Sequence, residues 1–153
     1  MKDMDCHLLH ANLALARDSL ESPLTAGFIE MFEALGRIAS RSPGFVSKPV
    51  AAGAGEVYQG NYLLNLSIWE SVESLRQFTY SGVHAAALKN RFEWFELSTG
   101  PSYVLFWIKV GETPTELEIS KRLQHLSEKA ATPIAFNFKQ PFTAQEACRE
   151  INQ

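Results

Sequence analysis

The sequence has little of what marks secreted, metal-binding or nucleic-acid-binding proteins. Among its 153 residues there are two cysteines, Cys6 and Cys148, which lie near opposite ends and form no Cys-x-x-Cys or Cys/His ligand spacing. A metal cluster is therefore not expected, and reduced thiols are the default, although a disulfide stays open. The formal net charge of -3 is small and the charges are not clustered. Neither nucleic acid nor an anionic membrane is therefore an expected partner.

A long hydrophobic run and a signal peptide are also missing. No apolar stretch approaches the ~20 residues of a membrane helix. The first residues, MKDMDCHLL, lack a basic region followed by an apolar run. We therefore expect a cytoplasmic protein. A chain with 46% hydrophobic residues can bury a core of its own, so residues 1–153 are predicted to form a single domain in which 143–153 is a polar tail.

Motifs for covalent catalysis and nucleotide binding are absent as well. Residues 49–60, PVAAGAGEVYQG, are rich in glycine, but they contain neither GxxxxGK[ST] nor GxGxxG. We interpret them as a mobile hairpin connection rather than a phosphate loop. The sequence contains no recognisable nucleophile–base motif.

What is present is a clear pattern of strands and helices. The predicted strands are 7–16, one that begins at Phe45-Val46, 63–69, 103–109 and a last one at 134–139. The predicted helices are 25–40, one capped by Ser71, one after the Ser81-Gly82 break, and one after Thr113 that buries Ile119, Leu123, Leu126 and Ala130. For this last helix we expect Thr113 as the N-cap and Glu116 as the closing residue of a capping box.

This order predicts an α+β fold, with a ferredoxin-like antiparallel sheet that has helices on one face. The apolar rows Leu9/Ala11/Leu13, Leu64/Leu66/Ile68 and Val104/Phe106/Ile108 are expected to face the helices. The opposite face carries His10, Asn12, Asn65, Ser67, Trp69, Tyr103 and Trp107. Because that face is too aromatic to remain in water, we expect the same face of a second copy to cover it in a two-fold homodimer.

Residues 65–95 carry most of the candidate site residues. His84, Leu88, Arg91 and Phe95 share one face of a predicted helix, and Phe92 flanks that face. Basic groups on an apolar helix face need partners. Two interpretations stay open: His84 and Arg91 contact a ligand, or Arg91 pairs with a carboxylate and His84 bonds a backbone carbonyl.

Five motifs together span nearly the whole chain: His7-Leu8…Asn12-Leu13-Ala14, Ser42-Pro43-Gly44-Phe45-Val46, Asn65-Leu66-Ser67-Ile68-Trp69-Glu70-Ser71, His84…Arg91…Trp94-Phe95 and Ala135-Phe136-Asn137-Phe138. Through them the sequence resembles a family of small, functionally uncharacterised bacterial and fungal proteins. The resemblance implies the dimeric α+β barrel superfamily, which includes antibiotic-biosynthesis monooxygenases and small haem-degrading monooxygenases. The haem-degrading group is similar in placing residues like Asn12, Trp69 and His84 on comparable elements, although the Trp-to-His interval is longer here.

The resemblance implies a monooxygenase-like enzyme, cofactor-free or haem-dependent, that binds a planar aromatic substrate or haem between sheet and helices. In this hypothesis the catalytic residues are His84, Asn12 and Trp69, and the substrate-binding residues are Arg91, Phe78, Leu88, Phe92, Phe95 and His10. His84 ligates iron if haem is bound and is otherwise a base or hydrogen-bond partner. A non-oxidative cyclase or isomerase, and a ligand-binding dimer without chemistry, stay open as alternatives. The expected partners are a second copy and a small aromatic or hydrophobic molecule.

Overall fold

The fold is built on one antiparallel sheet. A computed structural model describes residues 6–19, 21–81, 95–96 and 100–151. Within these residues, four strands lie in the order β2-β3-β1-β4. Their bounds are β1 Cys6–Leu15, β2 Phe45–Ser47, β3 Tyr62–Trp69 and β4 Tyr103–Lys109. The central strand β1 pairs antiparallel with both β3 and β4, and the predicted α+β, ferredoxin-like class is confirmed.

The helices follow the periodicity of the sequence. They are α1 Ala26–Ser40, α2 Val72–Thr79, α3 Glu116–Lys129 and α4 Ala144–Ile151, and a short 3-10 turn at Pro23–Thr25 precedes α1. Ser71 caps α2 as predicted, because its hydroxyl accepts the Ser74 N–H at 3.1 Å. None of the helices in the described ranges has the length and apolar character needed to cross a membrane.

The start and the end of α3 differ from the sequence-based prediction. The N-cap is Thr115, whose side chain accepts the Glu118 N–H at 3.0 Å, and Thr113 lies outside the helix. Ile119, Leu123 and Leu126 are buried as predicted. Ala130 is exposed instead, since it ends the helix with a φ of 61°. The prediction placed the cap two residues too early because either threonine can start a helix after a proline-containing turn.

The apolar face of the sheet packs against α3, as expected. Its core joins residues of β1, β3 and β4 to the buried stripe of the helix: Leu9, Ala11, Leu66, Ile68, Val104, Phe106, Ile119, Leu123 and Leu126. Strand alternation places these sheet residues on one side. Burial of this apolar surface stabilises the contact between the sheet and α3.

The opposite face is partly covered by the same chain, and Tyr103 and Trp107 remain half-buried there. Phe142 accepts the Trp107 indole N–H through its carbonyl at 2.9 Å, and Phe138 donates its N–H to the Tyr103 hydroxyl at 3.1 Å. Helix α2 adds Leu75 to this core. The same chain thus supplies part of the cover that was expected from a second copy. The homodimer and the surface through which it forms stay predictions.

The C-terminal part is only partly extended. Phe136 exchanges two backbone hydrogen bonds with Leu105, each 2.9 Å long. The predicted last strand at 134–139 is therefore reduced to a bridge on the edge of β4. The segment from Thr143, expected as a polar tail, forms α4, where Ala147 is buried.

The glycine-rich segment connects β2 and β3, which pair antiparallel as a hairpin. Its backbone N–H groups at Gly55, Val57 and Tyr58 bind the carboxylate of Glu116 at 2.9, 3.0 and 3.0 Å. Ala52 accepts the Glu116 N–H at 3.0 Å. The segment therefore binds an anion with its main chain, but the anion is a side chain of α3.

Candidate functional site

A group of polar side chains lies in the middle of the aromatic sheet face. The strand register places Asn12 opposite both Asn65 and Tyr103, and His10 opposite Ser67. Alternation directs these side chains to the same side of the sheet. We call His10, Asn12, Asn65 and Tyr103 the polar patch; all four are half-buried. The His10 and Tyr103 rings meet edge to face at 5.7 Å, so the patch combines hydrogen-bonding groups with aromatic surface.

Trp69 lies at one end of this face and is completely buried. Its indole N–H donates to the Ser67 hydroxyl at 2.9 Å. The Phe78 ring stacks on it at 5.4 Å, and the Phe45 ring meets it edge to face at 5.4 Å. Its one polar group is therefore already bonded, and its ring is enclosed by other rings. In this arrangement Trp69 and Phe78 support the sheet beside the polar patch.

Phe95 lies at the other end of β1. It bridges Ala16, and the next residue donates its N–H to the Leu15 carbonyl at 2.9 Å. Its ring meets Phe28 of α1 edge to face at 4.7 Å. Since Trp69 pairs with Leu8, Phe95 and Trp69 are separated by eight residues of β1, or roughly 26 Å at 3.3 Å per residue. The structure therefore does not bring these two predicted site residues together.

Four predicted site residues lie outside the described residues: His84, Leu88, Arg91 and Phe92. Their assignment stays a prediction. Of the predicted residues that the structure describes, it brings His10 and Asn12 together in the polar patch. The predicted cavity shared by His84 with Trp69 or Asn12 likewise stays a prediction.

Sequence reasoning missed a cluster beside the polar patch. Arg76 of α2 donates from Nη2 to the Phe138 carbonyl at 2.9 Å, and its guanidinium lies 5.7 Å from the Phe138 ring. The Tyr80 and Tyr103 rings lie 5.9 and 5.6 Å from the same ring. We call Arg76, Tyr80, Tyr103 and Phe138 the arginine–aromatic cluster. The i, i+4 spacing of Arg76 in α2 and Tyr80 at its C-cap was the available signal, but nothing in the sequence indicated their contact with Phe138.

Burial raises the pKa of the Tyr103 phenol in this cluster. The Phe138 N–H and the positive charge of Arg76 act in the opposite direction and compensate only in part. Tyr103 is therefore a neutral hydroxyl at physiological pH. A neutral phenol that accepts one hydrogen bond still has its own proton to donate.

A family model described as "Domain of unknown function (DUF3291)" matches residues 7–152. The chain belongs to the DUF3291 family. Among curated proteins, no match to this DUF3291 chain is found.

Solved structures share the fold of the DUF3291 chain at low sequence identity. One is a "putative antibiotic biosynthesis monooxygenase" from Nitrosomonas europaea, with 10% identity and a TM-score of 0.51 over 75% of this chain and 98% of that one. A conserved protein from Methanosarcina mazei Go1 has 12% identity and a TM-score of 0.50 over 69% and 93%. SnoaB, a cofactor-independent oxygenase from Streptomyces nogalater, has 13% identity and a TM-score of 0.47 over 72% and 97%. At such identities the first two matches establish the fold alone.

The described residues of the DUF3291 chain do not form a haem slot. Haem needs a flat apolar space with an iron ligand on one side. Around Trp69 that space is filled by the Phe45 and Phe78 rings, and His84, the residue implied as the ligand, lies outside the described part. No group of three or more His, Cys, Asp or Glu suited to a metal ion occurs among the described residues either. We therefore derive no step through haem.

Proposed function

We propose that this DUF3291 protein is a monooxygenase-like enzyme that oxidises a planar aromatic substrate at the polar patch. The observation that carries the proposal is the polar patch itself: His10, Asn12, Asn65 and Tyr103 are half-buried in the middle of an otherwise apolar sheet face. Apolar walls with a few convergent polar groups are the usual form of a small-molecule site. The fold shared with the Nitrosomonas europaea protein supports the same class.

Each residue has a role in this proposal. The Asn12 amide donates a hydrogen bond to a carbonyl oxygen of the substrate, where negative charge develops during the reaction. His84 is the base that removes a proton. Leu88, Arg91 and Phe92 border the substrate, whereas Phe95 packs on Phe28 at the other end of β1. Trp69 acts indirectly, because with Phe78 and Ser67 it fixes the strand that carries Asn65.

The proposed reaction converts an activated CH₂ group next to an aromatic ring into a carbonyl. The base removes one proton, and the carbon gives its electron pair to O₂ and forms a C–O bond to the peroxide. Loss of the second proton from the same carbon breaks the O–O bond and releases the distal oxygen as water. One substrate and one O₂ thus give one ketone and one water. The substrate supplies all four electrons.

Oxygen consumption with anthrone as probe tests the proposal. Anthrone is a planar aromatic ketone with an acidic CH₂ group, and the product, 9,10-anthraquinone, is followed by absorbance after subtraction of the uncatalysed oxidation. We expect Asn12→Ala to lower the rate about a hundredfold through loss of the oxyanion donor. His84→Ala should lower it at least about a hundredfold through loss of the base.

The matched control is Asn61→Ala, since Asn61 is exposed and lies outside the polar patch. It should leave the rate unchanged. A wild-type protein that adds nothing to the uncatalysed rate would contradict the proposal. So would an Asn12→Ala rate equal to that of Asn61→Ala.

A further inference from the structure

Two arginines bond backbone carbonyls of the C-terminal segment, and they differ in the charged groups around them. Arg122 of α3 donates from Nη1 to the Ile134 carbonyl, and its Nη2 pairs with Glu118 at 3.0 Å. Arg76 of α2 donates in the same way to the Phe138 carbonyl at 2.9 Å. Among the described residues, no carboxylate lies within the 4.0 Å that defines an ion pair from Arg76. Each arginine therefore bonds a backbone carbonyl, but among the described residues only Arg122 also has a counter-charge.

Among the described residues the charge of Arg76 has no counter-charge, although the residue is half-buried. Arg76 is half-buried, and its guanidinium lies 5.7 Å from the Phe138 ring. A contact with a ring face stabilises a cation only modestly, whereas removal of a charge from water is costly unless a counter-ion is present. A guanidinium also has five donors in a planar arrangement that matches a carboxylate or a phenolate. One donor bonds Phe138, so the others remain for an acceptor from outside the described residues.

Tyr103 places a second donor beside Arg76. Its hydroxyl accepts the Phe138 N–H at 3.1 Å, so its own proton is available to another acceptor. The Phe138 ring packs against Tyr103 at 5.6 Å, and the exposed Tyr80 ring lies 5.9 Å from the same ring. Tyr80 is 66% exposed. The arginine–aromatic cluster is therefore accessible from solvent at Tyr80.

The cluster is continuous with the polar patch through Tyr103, which belongs to both. On the side of the patch, Tyr103 is in register with Asn12 and contacts the His10 ring at 5.7 Å. On the side of the cluster, its hydroxyl and ring both contact Phe138. A flat molecule in contact with Tyr103 can therefore reach both groups of polar side chains.

We propose that the arginine–aromatic cluster binds the anionic oxygen of a planar aromatic ligand, a carboxylate or phenolate held between the Arg76 guanidinium and the Tyr103 hydroxyl. The ring of the ligand packs against Phe138 and Tyr80. As the substrate class of the enzyme, this assignment rests on the proposed oxygenase function. As a binding site, it is independent of any reaction.

Calorimetric titration with two probes of the same shape tests the site. The probes are 2-naphthoate, which is an anion, and 2-naphthamide, which is neutral, and oxygen is excluded so that turnover does not contribute. We expect the wild-type protein to bind naphthoate at least about tenfold more tightly than the amide, because charge-assisted hydrogen bonds are roughly twice as strong as neutral ones. Arg76→Gln should abolish this preference.

Arg122→Gln is the matched control, since Arg122 also bonds a backbone carbonyl and lies over a ring, that of Phe106 at 4.2 Å. It should keep the preference for naphthoate. Tyr103→Phe keeps the ring and removes the hydroxyl, so it should weaken naphthoate severalfold even if Arg76→Gln fails to fold. Equal affinities for the two probes, or equal losses in the two arginine variants, overturn the proposal.

Failure of the binding site and failure of the oxygenase give different results. Preferential naphthoate binding without oxygen use on anthrone overturns the oxygenase and supports the anion site. Oxygen use on anthrone with no preference between naphthoate and naphthamide overturns the anion site alone. Absence of measurable naphthoate binding at millimolar concentration overturns it as well.

Discussion

Glu116 is expected to determine the stability of the contact between α3 and the glycine-rich segment. Its carboxylate is 5% exposed and accepts the N–H groups of Gly55, Val57 and Tyr58. Its own N–H donates to the Ala52 carbonyl at 3.0 Å. Glu116→Ala removes the three side-chain bonds and leaves the main-chain bond in place. The substitution therefore isolates the contribution of the carboxylate.

The expected loss follows from the type of hydrogen bond. A hydrogen bond to a charged group contributes about 1.5–3 kcal/mol, and such contributions are not additive when one acceptor serves several donors. The segment around Gly55 and Val57 is exposed, so its N–H groups regain bonds to water when the carboxylate is removed. We therefore expect a total loss of about 2–4 kcal/mol in the free energy of unfolding.

Urea unfolding followed by circular dichroism measures this loss. Glu118→Gln is the control, because Glu118 lies in the same helical turn but forms a surface ion pair with Arg122. Such pairs contribute up to about 1 kcal/mol. A Glu116→Ala loss no larger than that of the control would refute the proposed role of the carboxylate.

The same carboxylate predicts a pH dependence. Burial by itself raises the pKa of Glu116, but the backbone N–H groups of Tyr58, Gly55 and Val57 outweigh it and lower the pKa below the ordinary value of 4.5. A lowered folded-state pKa adds stability above pH 4.5, and this contribution is lost as the pH falls through the folded pKa. The stability difference between wild type and Glu116→Gln should therefore be constant near neutrality and shrink below pH 4.5. A difference that grows under acid would contradict the assignment.

Two further substitutions test the packing. Leu66→Ala should lower the free energy of unfolding by about 2–5 kcal/mol through a cavity beneath α3. Leu117→Ala, at an exposed position, should change it by less than about 0.5 kcal/mol. Similar losses in the two variants would mean that the face assignment is wrong. Gly44→Ala should destabilise clearly more than Gly60→Ala, since both have positive φ but only the added Cβ at Gly44 meets a neighbour, the Ser74 hydroxyl at 2.1 Å. Thermal unfolding compares the two, and equal shifts in Tm would exclude the steric cause.

The sequence was sufficient for the four strands β1 to β4 because local patterns determined them. The alternation at Leu64, Leu66 and Ile68 reflects the two faces of β3 directly, and Ser71 marked the start of α2 because capping depends on neighbouring residues alone. The start of α3 was less certain, since Thr113 and Thr115 have the same capping chemistry. Only the tertiary contact of Glu116 with the glycine-rich segment distinguishes them.

The candidate site was only partly predictable. Asn12 and His10 were identified because polar residues interrupt an apolar strand, and this signal is local. The role of Arg76 depends on Phe138, which lies 62 residues away in the chain, and no periodicity connects them. Trp69 was assigned to the site because of its position at the end of a strand. Its hydrogen bond to Ser67, which occupies its one polar group, is not visible in the sequence.

The bridge between Phe136 and Leu105 has a consequence for association. Unpaired backbone groups on an edge strand are a template for the strand of another chain. At the centre of β4 both groups of Leu105 are already bonded to Phe136, and the other edge, β2, is only three residues long and has an irregular register. The described edges therefore offer little to an incoming strand. Truncation before Phe136 would uncover the edge of β4. The truncated chain should therefore aggregate through its sheet more readily than the full chain does.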